Sequence, residues 1–279
     1  MSREAIRPLK SWDEFRACER LQQAVWGTVA ASSELLGVTA KHGGVVLGAL
    51  VDGKVVGFIY AFLARYKGEL IHWSHMMAVE AACRDRGFGF RMKLKHREIA
   101  LEQGVKAIGW TYDPLQSRNA ALNIRRLGAR ISEYLPDCYG HFPSKIERGM
   151  ESDRFVADWR VQSVAVERRL KTRNPGKGDP KSLTAPLVNH TEPDGHGFIA
   201  NAAITLDQTA SRLRVEIPTN TDLMREKALP LARRWRLEMR RAFQCYLAKG
   251  YRVDDFLPPS AATAGRCFYV LRRVSEFRH

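Results

Sequence analysis

Apolar residues recur first at helical and then at strand spacing, which predicts an α/β fold. Ser11 and Glu14 have the spacing of a capping box, and apolar residues every three or four positions predict a helix over 12–25. Three runs rich in β-branched and aromatic residues follow, at 44–51, 55–63 and 70–79. Asp52-Gly53 between the first two is a hairpin signal, because these residues tolerate positive φ. The runs therefore predict an antiparallel meander.

The pattern changes after residue 80. A helix is predicted over 87–103, with Phe90, Leu94 and Leu101 as one apolar stripe, Met92 and Ile99 on another side, and Gly104 as its end. The elements predicted after it are strands over 106–112, 129–135 and 155–161 and a helix over 117–127. We place this first domain at residues 1–163.

A change of composition separates this domain from the rest of the chain. Residues 172–195 are rich in Pro, Gly, Lys and Asn, so we expect 164–200 to be a linker or extended loop. A smaller α/β unit is predicted over 201–279, with a helix followed by two strands. That order echoes the end of the first domain. It is typical of a degenerate half-repeat, although two short α/β units also reach it by chance.

The net charge and the cysteine content restrict the possible functions only in part. The 279 residues carry a formal net charge of +15, which attracts a nucleic acid, a phosphorylated cofactor or an acidic substrate, or simply forms a solvated basic surface. The five cysteines lie far apart without a CxxC pair, which argues against a disulfide framework and a zinc site. No N-terminal apolar run has the pattern of a signal peptide or a membrane span. We expect a cytoplasmic protein.

Residues 84–89, Arg-Asp-Arg-Gly-Phe-Gly, carry the strongest chemical signal because they lie between a predicted strand and a predicted helix. A helix N-terminus offers unpaired amides and the positive end of the dipole. Glycines let the backbone approach an anion, and Arg84 and Arg86 add bidentate donors. The pattern predicts a pyrophosphate site.

Other phosphate-binding motifs fit residues 84–89 less well. A Walker A loop ends in Gly-Lys-Ser/Thr, whereas Gly89 precedes Phe90 and Arg91. A Rossmann fingerprint needs three glycines after the first strand of a parallel unit, whereas an antiparallel meander precedes this loop. A glycine-rich turn without a ligand is the remaining alternative.

The loop resembles the acyl-CoA signature Arg/Gln-x-x-Gly-x-Gly/Ala of the GNAT superfamily. The preceding strand, 72–79, resembles the fourth strand of that family, and 117–129 resembles its last helix before the C-terminal strands. The resemblance covers about the first 160 residues. It implies a GNAT fold, in which a mixed, mostly antiparallel sheet is flanked by helices.

The resemblance also implies how an acyl-CoA would bind. The fourth and fifth strands would part near Val79 and Trp110, the pantetheine would pair with backbone on the fourth strand, and the thioester would lie near 74–77. Asn119 would contact the cofactor or cap its helix. The implied cofactor-binding residues are Met77, Ala78, Val79, Arg84, Arg86, Gly87, Phe88, Gly89 and Asn119.

Transfer to an amine needs a base for the amine proton and an acid for the thiolate. His75, beside the expected thioester, is a candidate base or only a hydrogen-bonded residue of the sheet. Asp113 and His72 are further candidates, although Asp113 before Pro114 also suits a turn. Many GNAT enzymes place a Tyr where this chain has Ile124. Tyr139 is our substitute for it, and a buried core Tyr is the alternative.

The resemblance implies an acyltransferase that moves an acetyl or another short acyl group, such as succinyl, from coenzyme A to a small primary amine such as an amino acid. We expect acyl-CoA as the co-substrate and no metal cofactor. We expect no membrane partner and no nucleic-acid partner, and we consider a homodimer possible from the sequence. The alternatives are a non-catalytic acyl-CoA-binding relative, which the missing Tyr allows, and a nucleic-acid-associated basic protein. No RNP-like, helix-turn-helix or zinc pattern supports the last.

Overall fold

Strands and helices alternate along the chain in the computed structural model, which describes residues 2–140, 149–172 and 179–274. The strands are β1 (Glu4–Pro8), β2 (Val45–Val51), β3 (Lys54–Tyr66), β4 (Glu69–Val79), β5 (Ala107–Tyr112), β6 (Arg130–Leu135), β7 (Arg154–Arg160), β8 (Asn189–Pro193), β9 (Ile199–Ile204), β10 (Arg212–Ile217), β11 (Tyr251–Leu257) and β12 (Cys267–Arg273). The helices are α1 (Trp12–Trp26), α2 (Ser33–Lys41), α3 (Phe88–Glu102), α4 (Ser117–Ala120), α5 (Val164–Lys171), α6 (Pro180–Leu183), α7 (Thr221–Lys227) and α8 (Leu229–Ala248).

The described residues divide into two compact units. The first comprises 2–110 and 159–164, and the second comprises 111–140, 149–158, 165–172 and 179–274. The predicted α/β class is confirmed. The domain boundaries drawn from the sequence, 1–163 and 201–279, stay a prediction.

The first unit is built on the predicted meander. β1 to β4 pair in sequence order and antiparallel, and β5 joins β4 in parallel. Residues of α1 and α2, among them Phe15 and Leu36, pack with Phe58 of β3 in one apolar cluster. Phe88 of α3 packs with Ile59, the next residue of β3, in another. Because successive strand residues point to opposite faces, the two helix layers cover opposite faces of the sheet.

Two irregularities in β4 shape the first unit. The register with β3 shifts between Tyr60↔Met76 and Ala61↔Ser74, which leaves His75 as the extra residue of a β-bulge. β4 and β5 pair at His72↔Ile108 and Trp73↔Gly109 and at no later position in the described chain. The two strands therefore part after Trp73 and Gly109. On β5 this is next to the expected Trp110, whereas on β4 it comes well before the expected Val79.

The second unit has an antiparallel sheet of its own elements. Its strands follow the order β7-β6-β11-β12-β10, while β8 and β9 form a separate hairpin. Trp235 and Phe243 of α8 are fully buried, and Phe243 packs 4.7 Å from Phe155 of β7 between ring centroids. This aromatic layer forms the core of the unit.

Several elements differ in detail from the prediction or had none. The expected linker or loop at 164–200 contains α5, α6 and β8, while its residues 173–178 lie outside the described chain. β1 and α2 had no prediction because each is short. The helix predicted over 117–127 is α4 followed by a π-helical turn, Ala121–Arg126. No helix in the described residues is long and apolar enough to cross a bilayer.

Of the two apolar sides predicted for α3, the side of Met92 is the one that is buried. Phe90, Leu94 and Leu101 are only half-buried. The residues that face the sheet are Phe88, Met92, Lys93, His96 and Ala100. Two of them, Lys93 and His96, are polar and had not been predicted to be buried.

Candidate functional site

The loop at 84–89 leads from β4 into α3 with the backbone that its glycines require. Asp85 and Gly87 have φ values of 63° and 78°. Gly87 is the N-cap residue of α3, and a Cβ built on it would have nothing within 4 Å. Only its positive φ therefore demands glycine, and the space beside it is open. Gly89 lies within the first turn of the helix, next to the buried Phe88.

The arginines around this loop are held by a strand that the sequence did not reveal. Glu4 of β1 accepts hydrogen bonds from Arg86 at 2.5 Å and Arg91 at 2.6 Å. The hydrogen bonds from Arg91 and Arg86 lower the pKa of Glu4. Both guanidinium groups also lie 5.2 Å from the Phe88 ring centroid. Arg84 donates from Nε to the Val79 carbonyl at 3.3 Å. Three guanidinium groups thus surround the start of α3.

The end of β4 faces the gap left by β5. Met77, Ala78 and Val79 pair with β3 along one edge, and the opposite edge has no paired position with β5 in the described chain. Backbone groups on an open strand edge can pair with an extended ligand. The predicted pantetheine-binding residues therefore lie on such an edge, next to the arginine-rich loop.

His75 projects to the α1–α2 face of the sheet. Its ring lies 6.0 Å from Tyr60 and from Phe62 between centroids, and the side chain is exposed. Desolvation by these neighbours lowers the pKa of His75 below its usual 6.5. The imidazole is therefore neutral at physiological pH and can accept a proton.

Lys93 is a buried cation on the other face of β4. Its side chain is 2% exposed, donates to Ser74 Oγ at 3.0 Å, and has Nζ 3.7 Å from the Trp110 ring centroid. No carboxylate forms an ion pair with it among the described residues. Burial lowers the pKa of Lys93 to about 7. Sequence reasoning missed this residue, because a Lys on a helix ordinarily faces solvent.

A histidine pair lies one turn further along α3. His72 Nδ1 is 3.1 Å from His96 Nε2, and His72 Nε2 is 2.7 Å from Gln103 Oε1. Desolvation lowers the pKa of both rings, and the nearby Lys93 lowers that of His96 further. His72 is fully buried in this pair, which favours a structural role over that of a base.

Asp113, a predicted base, belongs to a buried ion pair in the second unit. Both of its carboxylate oxygens accept from Arg236 at 2.7 Å, and Arg225 lies 3.8 Å away. Burial by itself raises the pKa of Asp113, but the Arg236 guanidinium outweighs it and lowers the pKa to about 2. Asp113 Oδ1 also accepts from the Leu115 amide at 2.8 Å, within the predicted turn. These contacts favour a structural Asp113.

The other predicted residues of the second unit lie in different settings. Tyr139 is 44% exposed, so a buried core Tyr is excluded, and its hydroxyl is 2.7 Å from Thr111 Oγ1. Asn119 is half-buried inside α4, whose N-cap is Gln116, so Asn119 does not cap the helix. Ile124 is fully buried, which leaves no hydroxyl at the position where many GNAT enzymes have Tyr.

The comparison with known families agrees with the loop and with the parted strands. The profile of the acetyltransferase (GNAT) family matches residues 9–128. This segment is a GNAT acetyltransferase domain. The chain therefore contains the domain of an acyl-CoA-dependent N-acyltransferase. A search of curated protein sequences finds no significant match.

Several acetyltransferases are among the solved structures to which this chain is similar. A GNAT acetyltransferase from Streptococcus pneumoniae is 16% identical, with 56% of this chain and 98% of that chain covered and a TM-score of 0.46. The ribosomal-protein-S18-alanine N-acetyltransferase of Escherichia coli is 13% identical. That match covers 58% of this chain and 96% of the E. coli chain, with a TM-score of 0.47. NAA60 of Arabidopsis thaliana in complex with acetyl-CoA is 12% identical. That match covers 57% of this chain and 99% of NAA60, with a TM-score of 0.47.

A first prediction concerns Asp113. Asp113→Asn leaves Arg236 buried without its anion, so we expect the free energy of unfolding to fall by about 3–5 kcal/mol in urea titrations. The exposed Asp222, which also contacts Arg225, is the control, and Asp222→Asn should cost under about 1 kcal/mol. A stable but inactive Asp113→Asn protein would instead support a catalytic base.

A second prediction concerns Lys93. Its folded-state pKa of about 7 lies below the ordinary 10.5, so the unfolded chain binds more protons between these values and stability rises with pH across that window. Below pH 7 the buried charge costs on the order of 5 kcal/mol. Lys93→Met should therefore raise the free energy of unfolding at pH 6 and flatten its rise toward pH 10.

The control is Lys95→Met on the same helix, where Lys95 is paired with Glu98 near the surface. This change should leave both the stability at pH 6 and its pH dependence nearly unaltered. A loss of stability in Lys93→Met at pH 6 would contradict the assignment of Lys93 as an uncompensated buried charge.

Proposed function

We propose that this protein transfers an acetyl or another short acyl group from coenzyme A to a primary amine of a small molecule such as an amino acid. The observation that carries the proposal is the arginine-rich loop at the start of α3, which directly follows the open edge of β4. A pyrophosphate at the loop and an amide-bearing arm along the strand match the chemistry of coenzyme A. The cysteine pattern supports a cytoplasmic location, and a homodimer stays a prediction.

In the proposed complex, backbone amides at the start of α3 and the guanidinium groups of Arg84 and Arg86 bind the pyrophosphate. Phe88 holds the helix start in the core, while Gly87 and Gly89 allow close approach. The pantetheine amides pair with Met77, Ala78 and Val79. This arrangement places the thioester beside the bulge at His75.

The reaction is a direct displacement at the thioester carbonyl. The amine nitrogen attacks the carbonyl carbon, the C–N bond forms, and the C–S bond breaks as the tetrahedral intermediate collapses. We assign His75 as the base that takes the amine proton, because it is neutral and exposed at the bulge. The departing thiolate takes up a proton, for which we propose the exposed Tyr139 hydroxyl. Asn119 is our proposal for a further contact to the cofactor.

Calorimetric titration with acetyl-CoA tests the cofactor site. We expect micromolar binding to the wild-type protein and its loss in Gly87→Glu, which puts a carboxylate where the pyrophosphate would lie. Gly68→Glu is a matched control because Gly68 has φ 82°, close to the 78° of Gly87, and equally open space. It should bind normally. If both variants bind acetyl-CoA equally well, the pyrophosphate does not bind at this loop.

A kinetic experiment tests His75. Once a screen has found an acceptor amine, His75→Gln should lower kcat by about 100-fold or more and abolish the acidic limb of the pH–rate profile. The KM for the acyl-CoA should stay near the wild-type value, and the exposed His42→Gln should change neither. An unaltered pH profile would assign the base elsewhere. Absence of turnover with every amine would support a non-catalytic acyl-CoA-binding protein.

A further inference from the structure

The amino group of Lys93 lies at the point where β4 and β5 part. Trp73 and Gly109 are the last paired residues of the two strands. The next residue on each strand contacts Nζ, which is 3.0 Å from Ser74 Oγ and 3.7 Å from the Trp110 ring centroid. Lys93 thus reaches from α3 into the apex of the gap between the strands.

The charge of Lys93 is uncompensated in the described chain. No carboxylate lies within ion-pair distance of Nζ. The charge of Lys93 acts on His96 of α3, which is paired with His72 of β4, and both rings have lowered pKa values and are neutral. A protonated amine has three N–H donors, of which Ser74 Oγ accepts one and the Trp110 ring faces another. An anion entering the gap would supply the missing partner.

The apex lies where the distal end of an acyl group would point. Val79, next to the pyrophosphate loop, and Ser74 are five residues apart, which is about 17 Å along an extended strand. A pantetheine arm that follows β4 from the loop brings its thioester near the bulge. Groups attached beyond the thioester carbonyl then continue toward Ser74 and Lys93.

We propose that Lys93 is the receptor for a carboxylate on the acyl group, so that the preferred donor is the coenzyme A thioester of a short dicarboxylic acid. This inference rests on the proposed function, because it places the donor along β4. Ser74 holds the amine at the apex, and the Trp110 face limits the gap on the side of β5. Lys93 takes no part in the bond changes and acts in donor binding alone.

The test compares succinyl-CoA with butyryl-CoA, which has the same four-carbon length but no carboxylate. Calorimetric titration of the wild-type protein should give a dissociation constant at least about 10-fold lower for succinyl-CoA, as expected for a charge-assisted hydrogen bond. Lys93→Met, which keeps the volume and removes the charge, should lose this preference while binding butyryl-CoA as before. Lys95→Met should behave as wild type.

A second readout separates anion binding from a purely structural Lys93. Burial holds the pKa of the free amine at about 7, so at pH 8 it is mostly neutral, and a bound carboxylate would protonate it. Titrations in two buffers of different ionisation enthalpy should show uptake of nearly one proton with succinyl-CoA. They should show none with butyryl-CoA and none in Lys93→Met.

The outcomes distinguish this inference from the function on which it rests. Equal affinity for the two thioesters in the wild-type protein, or a preference that survives in Lys93→Met, overturns the role of Lys93 and leaves the acyl-CoA site intact. Failure of both thioesters and of free coenzyme A to bind overturns the proposed function and this inference together.

Discussion

The parting of β4 from β5 is the constraint on which the rest of the site depends. A continuous parallel pair would bury the backbone of Met77 and Val79 in ladder hydrogen bonds and leave no strand edge for a ligand. The bulge at His75 also shapes the site. The extra residue turns its side chain toward the α1–α2 face, while Ser74 stays on the α3 face. One short stretch of strand therefore carries an open backbone edge, the proposed base His75 and the Ser74 hydroxyl.

The loop at 84–89 depends on a second constraint, which is electrostatic. Arg86 and Arg91 lie close together beside a helix N-terminus, an arrangement that like-charge repulsion opposes. Glu4 bridges them and so fixes both guanidinium groups before any anion arrives. Preorganised donors lose little entropy on binding, which would favour tight binding of the proposed pyrophosphate. β1, a strand of five residues, thereby contributes to the loop from the opposite end of the sequence.

The sequence was sufficient to predict the meander, α3 and the positive-φ turn at 84–89, because periodicity and glycine placement are local signals. It was insufficient wherever a side chain acts against its usual preference. Lys93 and His96 turn inward on α3 beside Met92, and no apolar pattern predicts a buried Lys or His. Glu4 and Arg86 are 82 positions apart, and local patterns carry no information on such a pair. The Pro- and Gly-rich stretch at 172–195 suggested a loop, although tertiary packing produces α6 and β8 there.

Two buried charges illustrate how pairing separates structural from functional groups. Asp113 has both oxygens on Arg236, and its low pKa shows that the ionised form is already stabilised. Such a group has little basicity left and little capacity for a ligand. Lys93 has one hydroxyl and one aromatic face, and its lowered pKa shows that the charged form lacks a partner. Because an uncompensated buried amine is costly to the folded protein, its presence at the apex of the strand gap is better explained by a bound anion than by packing.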